Sequence, residues 1–140
     1  MAVALKRNCE EIEANKKHSM MLENVLLDAL KTSEIDFIRN GARDRIPGNI
    51  SLSFKGCDGE GLLHLLDLNG ICVSTGSACD SRNTQVSHVL KAICLDEDYA
   101  RGTIRISLGK NNTVDEVRKI AEVLVKSVGK MNLYDYSGVF

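Results

Sequence analysis

The sequence predicts an α/β chain of the α+β kind. It should form a sheet of three or four strands, mostly antiparallel, with helices packed on one face. Three observations carry this. Short stretches at 50–54 and 103–108 alternate apolar and polar residues, the signature of a strand with one buried face. Longer stretches at 3–31 and 113–129 place apolar residues three and four apart, as an amphipathic helix does. The strands are too few for a doubly wound sheet, so the apolar stripes are best buried by helices laid on one side of a small one.

Residues 3–31 contain no Gly or Pro. Leu5, Cys9 and Ile12, then Met21, Val25, Leu26 and Ala29, mark a long helix, and the polar run Asn15 to Ser19 predicts a kink or split within it. "IDFI" at 35–38 reads as a short strand, and Gly41, Pro47 and Gly48 punctuate a loop after it. Ile50, Leu52 and Phe54 against Ser51, Ser53 and Lys55 give a strand. "KGCDGEG" then turns into a helix, "LLHLLDL", which Gly70 ends. "ICVS" at 71–74 is read as a further strand. Val86, Val89, Leu90 and Ile93 mark a short helix, and "TIRISL" at 103–108 a strand with Arg105 and Ser107 on its polar side. Thr113 and Glu116 form a capping box. The stripe from Val114 to Val128 follows, Gly129 closes the helix, and "MNLYDYSGVF" is read as a tail.

At 140 residues and 44% hydrophobic, the chain suits one domain with a core of its own. A net charge of −1 gives no electrostatic reason to expect nucleic acid or an anionic membrane as partner. No apolar run approaches the roughly 20 residues of a membrane span. Lys6, Arg7, Glu10, Glu11 and Glu13 break up the N-terminus, against a signal peptide. Cys9, Cys57, Cys72, Cys79 and Cys94 form an odd, scattered set without a C-x-x-C pair, which fits a reducing cytoplasm. His18, His64 and His88 lack the spacing of metal ligands, so no metal site is expected.

Two residues stand out chemically. Cys79 lies in "STGSACDSRN", among small and polar residues where no apolar neighbour would bury it. The pattern allows an idle surface thiol, or a nucleophile carried on a loop; Arg82 would lower its pKa and Asp80 would oppose that. Arg105 allows a solvated arginine on an exposed sheet face, or a bidentate clamp for a carboxylate held on a rigid strand. His88 and His64 are read as surface or packing residues, Cys57 and Cys94 as small hydrophobes, and Cys72 as sharing the outer face of its strand with Ser74.

The succession "IPGNISLSF", "DGEGLLHLLDLNGICVSTGSAC", "SHVLKAI" and "TIRISLGKNNTVDEV" resembles the C-terminal part of cysteine desulfurases, pyridoxal-phosphate enzymes of the class-V aminotransferase family. The resemblance covers roughly residues 5–131, and the long "STGSAC" loop is similar to that of the group serving nitrogenase and housekeeping iron–sulfur cluster assembly. It implies the small C-terminal domain of a fold-type-I pyridoxal-phosphate enzyme. Residues 1–32 would be a helical segment leading to a large domain, 33–131 the small domain with its cysteine loop at 74–83, and 132–140 a tail. It implies the removal of sulfur from L-cysteine, leaving L-alanine and a persulfide on Cys79, which aligns with the family's sulfur-carrying cysteine. Arg105 aligns with the arginine that binds the substrate carboxylate. It also implies a cytoplasmic homodimer delivering sulfur to an iron–sulfur scaffold or another acceptor protein. The lysine, histidine and aspartate that hold pyridoxal phosphate belong to the large domain, which no part of this chain resembles, so no residue here is expected to bind the cofactor and the chain alone is expected to be inactive. The loop departs from the family at Asp80, where a hydroxyl residue is common, and at Gln85-Val86, where an acidic residue and proline are common. A partner-binding module without the chemistry and a selenocysteine lyase-like domain are the alternatives.

Overall fold

A computed structural model describes residues 2–42, 44–75 and 87–136, with the side chains of residue 4 and of 133–136 left aside. The elements run α1 (Ala2–Lys31), β1 (Phe37–Arg39), β2 (Asn49–Phe54), α2 (Gly59–Asp67), β3 (Ser74–Thr75), α3 (His88–Ala92), α4 (Glu97–Ala100), β4 (Thr103–Ser107) and α5 (Val114–Tyr136). The four strands form one antiparallel sheet in the order β1-β2-β4-β3. β1 and β2 are a hairpin. The chain then crosses through α2 to the far edge, and β4 returns into the gap between β2 and β3.

One face of the sheet is the core. Ile50, Leu52, Phe54 and Ile104 are fully buried and Ile106 nearly so. Leu22, Leu26 and Leu30 of α1, Leu62 and Leu66 of α2, and Val117, Leu124 and Val128 of α5 pack on them. The alternation at 50–54 and the stripe at 114–128 therefore do what their periods predict. In α1 the buried line is Leu22, Leu26 and Leu30, while Met21 is exposed. Only the second half of the helix reaches the core, and Val3, Leu5 and Ile12 stay exposed.

Several readings need correction. α1 is one uninterrupted helix, not a split pair. Its polar stretch carries docking contacts rather than a break: His18 Nε2 lies 3.0 Å from the Asn112 carbonyl, and Ser19 is buried. α5 does not stop at Gly129 but continues to Tyr136. Gly129 has no left-handed φ and faces open space, so it costs helix propensity without ending the helix. β3 is two residues, not four, because only Ser74 and Thr75 find partners on β4. α4, capped by Asp96 Oδ1 accepting from the Asp98 amide at 2.9 Å, carried too short a pattern to be predicted. Cys94 is an exposed residue at φ 54 that ends α3 rather than a buried small hydrophobe, whereas Cys57 is buried as expected.

The caps are local chemistry. Asp58 accepts from the Gly61 amide at 2.8 Å to start α2. The Thr113–Glu116 box closes both ways, Glu116 N to Thr113 Oγ1 at 3.2 Å and Thr113 N to Glu116 Oε2 at 2.9 Å. Those bonds, with one from Asn112, hold the Glu116 carboxyl below the usual carboxylate range. Two glycines mark close approaches. A Cβ on Gly102 would stand 2.2 Å from the Phe54 carbonyl oxygen. Gly48, at φ 82, would meet the Leu108 carbonyl and the Ser19 side chain.

Candidate functional site: the outer face of the sheet

The alternation that sends Ile104 and Ile106 inward sends Thr103, Arg105 and Ser107 outward. Register then decides what surrounds Arg105. It faces Ser51 on β2 and Ser74 on β3, and the Asn40 amide donates to the Ser51 carbonyl at 2.9 Å beyond β1. Asn40, Ser51, Arg105 and Ser74 thus form one polar row across four adjacent chain segments. The row beside it is Ile38, Ser53 and Thr103.

The two rows differ in openness. Ser53 is fully buried and Thr103 nearly so. Their hydroxyl oxygens are 2.6 Å apart, and Thr103 Oγ1 is 3.4 Å from the Tyr99 carbonyl of α4. In the next row Ser51 and Ser74 are half-buried and Arg105 is exposed. Asn40 ties the rows together: its Nδ2 donates to Ser53 Oγ at 2.7 Å and to Ser51 Oγ at 3.1 Å.

Arg105 is also set apart by what it lacks. Among the described residues it makes no hydrogen bond or ion pair. The other described arginines are engaged: Arg7 with Glu11, Arg101 with Glu97, Arg118 with Asp115, and Arg39 with Glu23, while Arg45 donates to the Asn40 carbonyl. Glu23 is buried, and its other oxygen accepts the Gly48 amide at 3.1 Å. Burial first, and then the nearby charge of Arg45, pull the Arg39 pKa below the usual guanidinium value. Arg39 is thus locked into the structure on the inner side of the sheet edge, while Arg105 is a guanidinium fork open to an incoming anion.

Cys79 lies outside the described residues. The root of its loop does not: Ser74 pairs with Arg105 and Thr75 with Ile104. Cys79 is four positions beyond Thr75, and four residue steps of extended chain reach at most about 14 Å. His64 and His88 are exposed, as read from sequence. Asn40 and Ser51 were missed as site residues. Their only sequence signal is the polar alternation on β2, which looks the same for a solvated face as for a binding face.

The residues present do not fit pyridoxal phosphate. A cofactor held as a Schiff base needs a lysine beside the substrate group. The outer face offers hydroxyls, an amide and Arg105, and the lysine following β2, Lys55, has its Nζ 5.8 Å over the Tyr99 ring. No step through that group is assigned to these residues.

This arrangement defines a class: a small antiparallel sheet domain that presents, among the described residues, one arginine without a partner, on the strand paired with β3, the strand that precedes Cys79 in sequence. The family model of the class-V aminotransferases matches residues 2–120, and the chain belongs to that family. Its relatives there are cysteine desulfurases. It is 39% identical over 132 residues to an IscS-like cysteine desulfurase of Mycobacterium tuberculosis, covering 93% of this chain and 34% of that protein. It is 47% identical over 92 residues to the cysteine desulfurase IscS of Clostridium botulinum, covering 64% of this chain and 23% of that one. A solved NifS-like protein superposes with a TM-score of 0.71 at 31% identity, over 95% of this chain and 32% of that one. A NifS-like protein from Rickettsia africae gives 0.68 at 27% identity, over 90% of this chain and 31% of that one. The chain thus spans about a third of the length of the relatives it matches.

Proposed function

We propose that this chain supplies the substrate-clamping and sulfur-carrying part of a cysteine desulfurase. Arg105 binds the carboxylate of L-cysteine. Cys79, which follows β3 in sequence, takes the substrate sulfur: its thiolate attacks that sulfur to form an S–S bond, and the carbon–sulfur bond breaks with its electron pair passing to the carbon, which takes up a proton and leaves as alanine. The persulfide then passes its outer sulfur to an acceptor protein, an iron–sulfur scaffold or another sulfur carrier. Pyridoxal phosphate would supply the activation of the amino acid and would have to be held by residues other than those described, so the chain alone is proposed to turn over no cysteine. The full enzyme is a homodimer. Cys9, Cys72 and Cys94 are exposed thiols, and the setting proposed for them is a reducing cytoplasm.

The observation that carries this reading is the pairing of Ser74 with Arg105. It puts Arg105, which makes no hydrogen bond or ion pair among the described residues, beside the strand from which Cys79 follows four positions after Thr75. The test completes the chain with the preceding, cofactor-binding region of the M. tuberculosis relative and supplies L-cysteine. Mass spectrometry after alkylation should find one extra sulfur on Cys79. Cys79→Ser should abolish that mass shift while the cofactor's absorbance remains. Undiminished persulfide elsewhere in the Cys79→Ser protein, with alanine still released, would overturn the assignment.

A further inference from the structure

We propose that Ser51 is a second contact for the substrate's carboxylate, held in position for it by Asn40. The inference rests on the assignment of Arg105 as the carboxylate clamp and adds the residue beside it.

The reason is a proton count. A serine hydroxyl donates one hydrogen bond and can accept two. Ser53 Oγ receives Asn40 Nδ2 at 2.7 Å and shares a proton with Thr103 Oγ1 at 2.6 Å, and Thr103 Oγ1 in turn reaches the Tyr99 carbonyl at 3.4 Å. That chain ends on a backbone oxygen and uses its protons internally. Ser51 Oγ also receives Asn40 Nδ2, at 3.1 Å, but among the described residues it donates to nothing. Its partner across the strands is Arg105, which likewise has donors and no acceptor. Facing residues on neighbouring strands have Cβ atoms about 4.5–5.5 Å apart. Two charge-assisted hydrogen bonds of about 2.8 Å to the two oxygens of one carboxylate bridge such a gap.

The strand makes the position firm. Ile50 and Leu52, either side of Ser51, are fully buried, and Asn40 fixes the hydroxyl from the β1 side. A guanidinium and a hydroxyl acting together select a free carboxylate over a carboxamide, whose nitrogen would meet a second donor. The ligand class these two groups read is therefore a free carboxylate, supplied in the proposed reaction by L-cysteine.

The test uses the full chain, labelled with nitrogen-15 and titrated with sodium L-alanine at constant ionic strength. The Arg105 side-chain Nε–H and the Ser51 backbone amide are followed by NMR. Both should shift saturably with L-alanine and neither with alaninamide. Ser51→Ala should weaken binding about tenfold, as loss of a hydrogen bond to a charged group does. Ser51→Thr should restore it, and Arg105→Gln should remove it. Unchanged affinity in Ser51→Ala, the result if Ser51 spends its proton on Asn40, would overturn the role of Ser51 and leave the Arg105 clamp standing. So would a Ser51→Thr variant as weak as Ser51→Ala. Absence of a saturable response in the unaltered chain, or full affinity in Arg105→Gln, would overturn the clamp and the Ser51 contact with it.

Discussion

The two faces of the sheet are built from the same strands and by the same alternation, yet they serve different ends. On the inner face every β2 and β4 side chain is apolar and almost fully buried, and three helices cover it. On the outer face the corresponding positions are Ser51, Ser53, Thr103, Arg105 and Ser107, and burial falls from the Ser53–Thr103 row to the exposed Arg105. The inner face therefore carries the core, and the open end of the outer face is the proposed binding surface. A rank order of mutational costs, falling from one face to the other, tests that division.

The largest cost belongs to Phe54→Ala. Phe54 is among the largest fully buried side chains and stacks at a tilt on Phe37, ring centroids 6.1 Å apart. Truncation should cost about 3–5 kcal/mol in urea denaturation, roughly a fifth or more of the stability of an ordinary domain. Next comes Glu23→Ala. The inner face is not wholly apolar at its β1 edge, where Arg39 lies opposite Leu52 and reaches Glu23 on α1. Removing that carboxylate strands a largely buried guanidinium and the Gly48 amide, at a cost of about 3 kcal/mol. Glu23→Gln sharpens the comparison. It keeps an acceptor for Gly48, so any stability it recovers over Ala measures the hydrogen bond and the remainder the charge.

The same division explains how much could be read in advance. The inner face was legible because burial is written into period: Ile50, Leu52 and Phe54 at two, and Val117, Ile120, Ala121, Leu124 and Val128 at three and four. The outer face was legible only by type, as polar. Which polar residues meet depends on register, and register is set by partners remote in sequence: Ser51 and Arg105 are 54 positions apart, and nothing local to either names the other. The end of α5 was misjudged because Gly129 is unfavourable in a helix yet not forbidden, and the packing of Leu124 and Val128 carries the helix through it. α3 was foreseen from Val89, Leu90 and Ile93, but of these only Leu90 is buried.

A third cost separates the two rows of the outer face. Ser53→Ala removes a fully buried hydroxyl that accepts from Asn40 and pairs with Thr103. The neighbours keep other partners, Ser51 for Asn40 and the Tyr99 carbonyl for Thr103. The expected loss is therefore modest, about 1–2 kcal/mol by urea denaturation. A cost as large as that of Phe54→Ala would show that the closed end of the outer face is a second core, and the division into faces would have to be redrawn between rows.

The smallest stability effect is expected at Arg105, and its smallness is the point. An arginine kept for structure is held by partners, as Arg39 is by Glu23, and its removal leaves them unpaired. Arg105 leaves nothing unpaired among the described residues, its side chain is exposed, and β4 is anchored through Ile104 and Ile106 on the other face. Arg105→Gln should therefore change the free energy of unfolding by no more than about 0.5 kcal/mol. The same variant should lose saturable binding of L-alanine. A guanidinium that costs nothing to remove from the fold, and everything to remove from carboxylate binding, is one placed for a ligand. A destabilisation above about 1 kcal/mol with binding intact would instead make Arg105 a structural residue, and the outer face would lose its claim to be the site.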